Sequence, residues 1–197
     1  MKARAILKRS FECAAAGAAL VSLSPLLVTI AAAVKLTSKG PVIYQSERLG
    51  LEGRTFLLWK FRSMAAGSPQ MVDEDFKTVI HDSDDRLTPI GKYLRIGFDE
   101  LPQLVNVFRG DMSFVGPRPE RPFFVSELSQ DIPYYTQRLS VKPGITGWAQ
   151  IGFRYGSSIE DAKRKLQFDL YYLKNLSFEL DLIILFRTLG TFLRGAC

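Results

Sequence analysis

Histidine and cysteine are nearly missing from this chain: His81 is the only histidine, and Cys13 and Cys197 are the only cysteines in 197 residues. One cysteine inside an apolar run and one at the last position make no disulfide framework, so a reducing compartment is the default for the part of the chain that meets water. A lone histidine with no cysteine or second histidine at ligand spacing makes no zinc set. The glycine motifs of nucleotide sites are missing as well, with no Walker loop, no Gly-x-Gly-x-x-Gly and no Gly-x-Ser-x-Gly. The βαβ alternation of a doubly wound domain is absent too, and neither an internal repeat nor a low-complexity tract is present. Acids are scarce at one end only. Residues 1–40 hold six basic side chains against the single acid Glu12, a net of +5, whereas the other 157 carry 20 basic and 19 acidic groups, a net of +1.

That basic end brackets an apolar run from Cys13 to Val34, CAAAGAALVSLSPLLVTIAAAV. At 1.5 Å per residue it is roughly 33 Å long, enough for a ~30 Å hydrocarbon layer and too long for the apolar core of a secretory signal. Membrane insertion is expected, with lipid rather than nucleic acid as the counter-charge for the basic flanks. A single span concentrates basic residues on its cytoplasmic side, but here both flanks are basic, and SLSP (Ser22 to Pro25) interrupts the middle. Pro25 removes a backbone donor and predicts a kink, and Ser22 or Ser24 can bond the freed carbonyls. A kinked span and a bent helix that enters and leaves on one side both satisfy these residues.

Further on, GPVIYQSERLG and RTFLLWKFRSM read as two strands of a hairpin joined through LGLEGR. Residues 65–88 read as loop with a short helix near Val72–Ile80. TPIGKYLRIGF and ELPQLVNVFRG show helical spacing, GDMSFVGPRPERP reads as a Gly/Pro-punctuated loop, PFFVSELSQDIPYYTQRLSV as a short helix, and KPGITGWAQIG as a turn and strand. SSIEDAKRKLQFDLYYLKN is a helix, with Ser157 and Glu160 as its capping box and Ile159, Ala162, Leu166, Leu170 and Leu173 as its stripe. The apolar tail LSFELDLIILFRTLGTFLRG carries Arg187 and Arg194 and suits an interfacial amphipathic helix. The fold class expected is α+β: a small, mostly helical domain with a small β-hairpin or sheet.

The chemistry points to RIGFDELPQL, where Asp99 and Glu100 sit side by side among apolar residues. Taken alone they suit a helix start, with Asp as N-cap, Glu in the first turn and Pro102 where no donor is needed. Their company argues for more. Arg86, Lys92, Arg95, Arg109, Arg118 and Arg121 lie nearby in sequence, and Lys60 and Arg62 lie on the second hairpin strand. Acids ringed by guanidinium groups suit a ligand more anionic than themselves, such as a diphosphate. GPRPERP adds a rigid backbone fit to present an arginine fork. HDSDD offers Asp82 and Asp84 as an Asp-x-Asp pair, which a divalent metal on a diphosphate can use and which a solvated acidic loop explains equally well.

KFRSM, DDRLTPIGKYLR, DELPQLVNVFRGDMSFVGPRPE, KPGITGWAQ and FDLYYLKNLSFELDL follow one another after the Ser-Pro-broken helix. In that order, over nearly the whole chain, they resemble the bacterial sugar transferase family. These monotopic phosphoglycosyl transferases move a sugar phosphate from a nucleoside diphosphate sugar to undecaprenyl phosphate, an early membrane step of polysaccharide or glycoconjugate assembly. WAQIGFRYGSSIEDA is most similar to exopolysaccharide-type members. The resemblance implies that Asp99 and Glu100 are catalytic, with Asp99 forming a covalent acyl phosphate and expelling UMP from a UDP-sugar, and Glu100 as acid/base or positioning partner. It implies Mg²⁺ on Asp99 and the diphosphate. It implies Lys60, Arg62, Arg86, Arg95, Arg118 and Glu120 as the phosphate- and nucleotide-binding set. It also implies a re-entrant helix over 1–36 broken at Ser24-Pro25, and a catalytic domain over 37–197 with an interfacial C-terminal helix. That domain would lie on the cytoplasmic face of the bacterial inner membrane, in contact with membrane lipids. Members carry Asp where this chain has Glu12.

Two other function classes compete. One is a metal-dependent glycosyltransferase that releases UDP through Asp82 and Asp84. The other is a non-catalytic, membrane-anchored assembly module. The sugar carried and homo-oligomer formation are left open by the sequence.

Overall fold

Pro25 decides the shape of the N-terminus. In the computed structural model, which describes residues 2–68, 85–153 and 158–193, helix α1 (Lys2–Ser22) and helix α2 (Ser24–Thr37) meet at Leu23. Their axes bend by 62° there. Pro25 lies in the first turn of α2, so the Val21 carbonyl loses its usual donor. Ser24 Oγ donates to that carbonyl at 2.7 Å, and Ser22 Oγ donates to Ala19 O at 3.2 Å. Ser24 thus does what the sequence expects, while Ser22 adds a second donor to a carbonyl that already accepts from Leu23 N. Among the described residues no single helix is long and apolar enough to cross a membrane, while this bent pair meets the length and composition test together.

The described residues divide into two compact units, one gathered from 2–46, 57–68 and 85–112, the other from 47–56, 113–153 and 158–193. Strands β1 (Ile43–Leu49) and β2 (Thr55–Phe61) form the expected hairpin, joined through a 3₁₀ turn at Leu51–Gly53.

In the first unit, α1 lies along helix α4 (Gln103–Arg109). Arg9 donates to the carbonyls of Val107 at 2.6 Å and Phe108 at 2.7 Å, placing a cation on the C-terminal end of α4. Its guanidinium packs against Gly110, which closes that helix at φ +96. Helix α2 contributes Ile30 and Val34 to a core with Phe61 and Leu94, against which Phe98 and Leu101 also pack. Helix α3 (Gly91–Leu94) is a single turn, shorter than the spacing of TPIGKYLRIGF suggests. It docks so closely that a Cβ at Gly91 would lie 1.9 Å from the Ser63 carbonyl oxygen. Gly91→Ala should therefore cost about 1–3 kcal/mol through overpacking. A chemical-denaturation midpoint that falls without a change in m-value checks it.

In the second unit, strand β3 (Ser113–Val115) pairs in parallel with strand β4 (Gly144–Thr146), Ser113 opposite Gly144 and Val115 opposite Thr146. The stretch read as loop thus contains a short strand. WAQIG, read as strand, is helix α6 (Trp148–Gly152), which follows α5 (Pro122–Asp131) and a 3₁₀ stretch at Tyr135–Ser140. Helix α7 (Ile159–Lys174) carries its capping box one residue later than expected. Ser158 and Asp161 form it, and Ser157 lies outside the described residues. Of the expected stripe, Leu166 is buried in a core with Val125, Leu128, Ile132 and Tyr135, while Ile159 is exposed. Asp169 and Tyr172 share the buried face. Helix α8 (Phe178–Leu193) packs Leu180 and Ile184 against Val115 and Tyr172. The helix expected near Val72–Ile80 falls outside the described residues.

Candidate active site

Asp99 and Glu100 lie on a 3₁₀ turn, Phe98–Glu100, which the chain reaches through Gly97 at φ +119. That φ belongs to the left-handed region, which glycine adopts without steric cost. Phe98 before the pair and Leu101 after it pack on the Ile30, Val34, Phe61 and Leu94 core, so apolar anchors hold the acids from both sides. Asp99 is not the N-cap the sequence suggested, although both acids do fall in the first turn of the 3₁₀ segment. The N-cap of α4 is Pro102 and that of the 3₁₀ turn is Gly97, and neither start has a side-chain cap bond.

Glu100 is instead claimed by β2. Lys60 Nζ donates to Glu100 Oε1 at 2.6 Å, with the two side chains only 18% and 21% exposed. A short, charge-assisted bond out of bulk water fixes both groups far better than a surface pair would. Burial pushes the Asp99 carboxyl above its ordinary value. Lys60 and Arg95 pull against that shift and Glu100 adds to it, but desolvation dominates. A carboxylate short of solvent with two cations acting on it has the chemistry of a general base or of a nucleophile toward an anionic centre.

The other candidates divide between the two units. Arg62 is 4% exposed. It donates from Nη2 to Ser38 O at 2.8 Å and to Ser38 Oγ at 2.7 Å, at the C-terminal end of α2. In this structure its guanidinium therefore serves the helix end, and Nη1 lies against Gly40. Arg86 is half-buried beside the Met64–Leu87 bridge, its carbonyl accepting from Ala65 N at 2.7 Å. Arg95 follows α3 directly and is half-buried. In the second unit, Arg118 is exposed on a loop whose backbone is fixed at nearly every step. Gly116 N donates to Thr146 O, Gly144 N to Pro117 O, and Leu49 N to Glu120 O. From behind, buried Arg138 donates to the Arg118 carbonyl at 3.2 Å and sits 3.7 Å from the Glu120 carboxylate. His81, Asp82 and Asp84 lie outside the described residues.

No cluster of three or more His, Cys, Asp or Glu able to hold a metal occurs among the described residues. Magnesium does not need one, because it commonly binds through one or two carboxylates together with substrate phosphates and water. A partly buried Asp99 whose neighbour Glu100 is already paired fits that mode. Sequence reasoning missed Arg138, Asp169 and Asn106. Each is a polar residue set in an otherwise apolar or helical pattern, and that break in pattern is the signal that could have found them.

Residues 3–195 match the bacterial sugar transferase family. A UDP-N-acetylgalactosamine-undecaprenyl-phosphate N-acetylgalactosaminephosphotransferase of Aeromonas hydrophila is 42% identical over 192 residues, covering 97% of this chain and 44% of that protein. A UDP-glucose:undecaprenyl-phosphate glucose-1-phosphate transferase of Escherichia coli (strain K12) is 41% identical over 186 residues, 93% of this chain and 39% of that protein. An uncharacterised sugar transferase of Bacillus subtilis (strain 168), EpsL, is 42% identical over 185 residues, 91% of this chain and 84% of that protein. The chain thus spans less than half the length of the first two relatives. A match along almost its full length, with relatives above 40% identity, places it: the chain belongs to the bacterial sugar transferase family.

Proposed function

We propose that this chain transfers a sugar 1-phosphate from a UDP-sugar to undecaprenyl phosphate, with Asp99 as the nucleophile. The observation that carries this reading is the state of the acid pair. Neither acid is a helix N-cap, Glu100 is locked to Lys60, and Asp99 is left partly desolvated under the influence of Lys60 and Arg95. A carboxylate oxygen of Asp99 attacks the sugar-bearing phosphorus and the bond to the bridging oxygen breaks, so that UMP leaves and an acyl phosphate remains. An oxygen of the lipid phosphate then attacks the same phosphorus, the acyl–phosphate bond breaks and Asp99 is restored. Dividing one transfer into two steps is what covalent catalysis contributes. Glu100, fixed by Lys60, orients the lipid phosphate or takes its proton, and Arg95 binds phosphate oxygens. Asp99 and the diphosphate would hold Mg²⁺, which offsets repulsion between an anionic nucleophile and an anionic substrate.

The placement proposed for this chemistry is the cytoplasmic face of the inner membrane. The bent α1–α2 pair supports a re-entrant seat, since its break is internally satisfied at Val21 and both flanks are basic. Helix α8 supports an interfacial one. It buries Leu180 and Ile184 yet leaves Phe178, Leu182, Ile183, Phe186 and Leu189 exposed, an apolar face that lipid would cover.

The test is the nucleotide released. The protein in nanodiscs, given undecaprenyl phosphate, Mg²⁺ and a panel of UDP-sugars, should release UMP from one of them. UDP in its place would overturn the proposal and favour Asp82 and Asp84 as metal ligands. No nucleotide from any donor would favour the non-catalytic module.

A further inference from the structure

Strand β2 has β1 on one side only, and its other edge exposes peptide groups that need partners. Leu57 C=O and Trp59 N–H leave from the same edge, because residues two apart in a strand point alike. A single side chain meets both. Asn106 Oδ1 accepts from Trp59 N at 3.0 Å, and Asn106 Nδ2 donates to Leu57 O at 2.7 Å. The carboxamide thus stands in for a peptide unit of a missing strand. Nδ2 also donates to Asp111 Oδ2 at 3.2 Å, and the residue is 0% exposed. Its carbonyl accepts from the amides of Gly110, Asp111 and Met112 at 3.0–3.3 Å, so the Asn106 backbone is pinned as firmly as the side chain. The Arg109 guanidinium, 4.9 Å from the Trp59 ring centroid, adds a second tie between α4 and β2.

This clamp sits one residue from Lys60 on the strand and a turn and a half along the chain from Glu100. It therefore sets how α4, with the acid turn that leads into it, lies against the strand that supplies the lysine. A 2.6 Å bond between two long side chains persists only if the backbones carrying them are held in register. Generic packing does not demand an amide here, since an apolar side chain of similar size would fill the space and leave two strand groups unpaired.

We propose that Asn106 is a positioning residue for the acid pair, holding Lys60 at Glu100 by gripping β2 at Leu57 and Trp59. Its effect on turnover rests on the phosphosugar-transfer reading, but its effect on Lys60 does not. Asn106→Ala should lower kcat by about 10- to 100-fold, the scale of a misplacement near 1 Å, with KM for the UDP-sugar changed less than about threefold. Combined with Lys60→Met, the losses should be sub-additive, because both substitutions release the same carboxylate. Amine-reactive labelling of the full chain in nanodiscs, read by mass spectrometry, should show Lys60 modified several-fold faster in Asn106→Ala and Lys92 unchanged. Should the alanine variant fail to fold, Asn106→Asp, which keeps the acceptor for Trp59 and loses the donor to Leu57, takes its place.

Unchanged Lys60 labelling, a full kcat per folded molecule, strictly multiplicative losses, or collapse of both variants would each overturn the proposal. Faster Lys60 labelling in a protein that releases no UMP from any donor would leave the clamp standing and remove the reaction.

Discussion

Asp99→Asn should abolish transfer, lowering UMP release by at least about 10³-fold, because an amide is no nucleophile at phosphorus and no other described group replaces it. The substitution keeps size and shape, and it removes a charge that burial disfavours. A carboxyl raised above its ordinary value lowers stability once ionised at neutral pH, so the thermal midpoint of the asparagine variant should hold or rise slightly. This pairing of lost turnover with retained stability separates a reacting group from a structural one. With the UDP-sugar present and lipid phosphate withheld, the unaltered chain should gain the mass of a sugar phosphate, and Asp99→Asn should gain none. Glu100→Gln should retain a weaker bond to Lys60 and lose only about 10- to 10²-fold, as expected of a group acting on protons or orientation.

Arg138→Met should cost about 3–5 kcal/mol, the loss expected when one partner of a buried ion pair is removed. The guanidinium is 6% exposed and its partner Asp169 only 2%, at 2.9 Å. Burial works against the Arg138 charge, yet Asp169, Tyr135 and Glu120 together hold it above its ordinary value, so it stays cationic at any pH the protein meets. Its removal would strand the Asp169 carboxylate among Leu166 and Tyr172 on the buried face of α7. It would also release the Tyr135 hydroxyl and the Arg118 carbonyl, which Arg138 grips. The double variant Arg138→Met with Asp169→Leu should recover most of the loss, because apolar side chains of similar volume can replace a buried pair at little cost. Denaturant midpoints of the two variants give the comparison, and equal losses in both would show that the pair's charges are not what matters.

The hairpin, the serine-satisfied break at Pro25 and the acid pair were all legible because each is written in local chemistry. Alternating apolar residues, a missing donor beside two hydroxyls, and adjacent carboxylates announce themselves within a few residues. What stayed hidden depends on distant partners. Ser113–Val115 is a strand only because Gly144–Thr146 lies beside it, and a three-residue run carries no periodicity of its own. WAQIG turns helical after Gly147, where β-like composition and a nearby strand suggest otherwise. TPIGKYLRIGF promises more helix than Gly91–Leu94, because Gly97 adopts φ +119 and redirects the chain. Arg62 illustrates the limit most clearly. Its place beside Lys60 in KFRSM suits a phosphate ligand, while the carbonyl it grips at Ser38 lies on the far side of the hairpin in sequence.

Arg9 on the carbonyls of α4, and Ile30 and Val34 within the core that seats Phe98 and Leu101, bear on how the protein can be handled. A truncation beginning near residue 37 would remove more than the bent apolar pair. It would uncover the end of the helix that follows the acid pair, and it would take away the apolar floor beneath that pair. Helices α1 and α2 therefore carry part of the packing around the acid pair in addition to their bent apolar run, so preparations meant for kinetics or inhibitor screening should keep them.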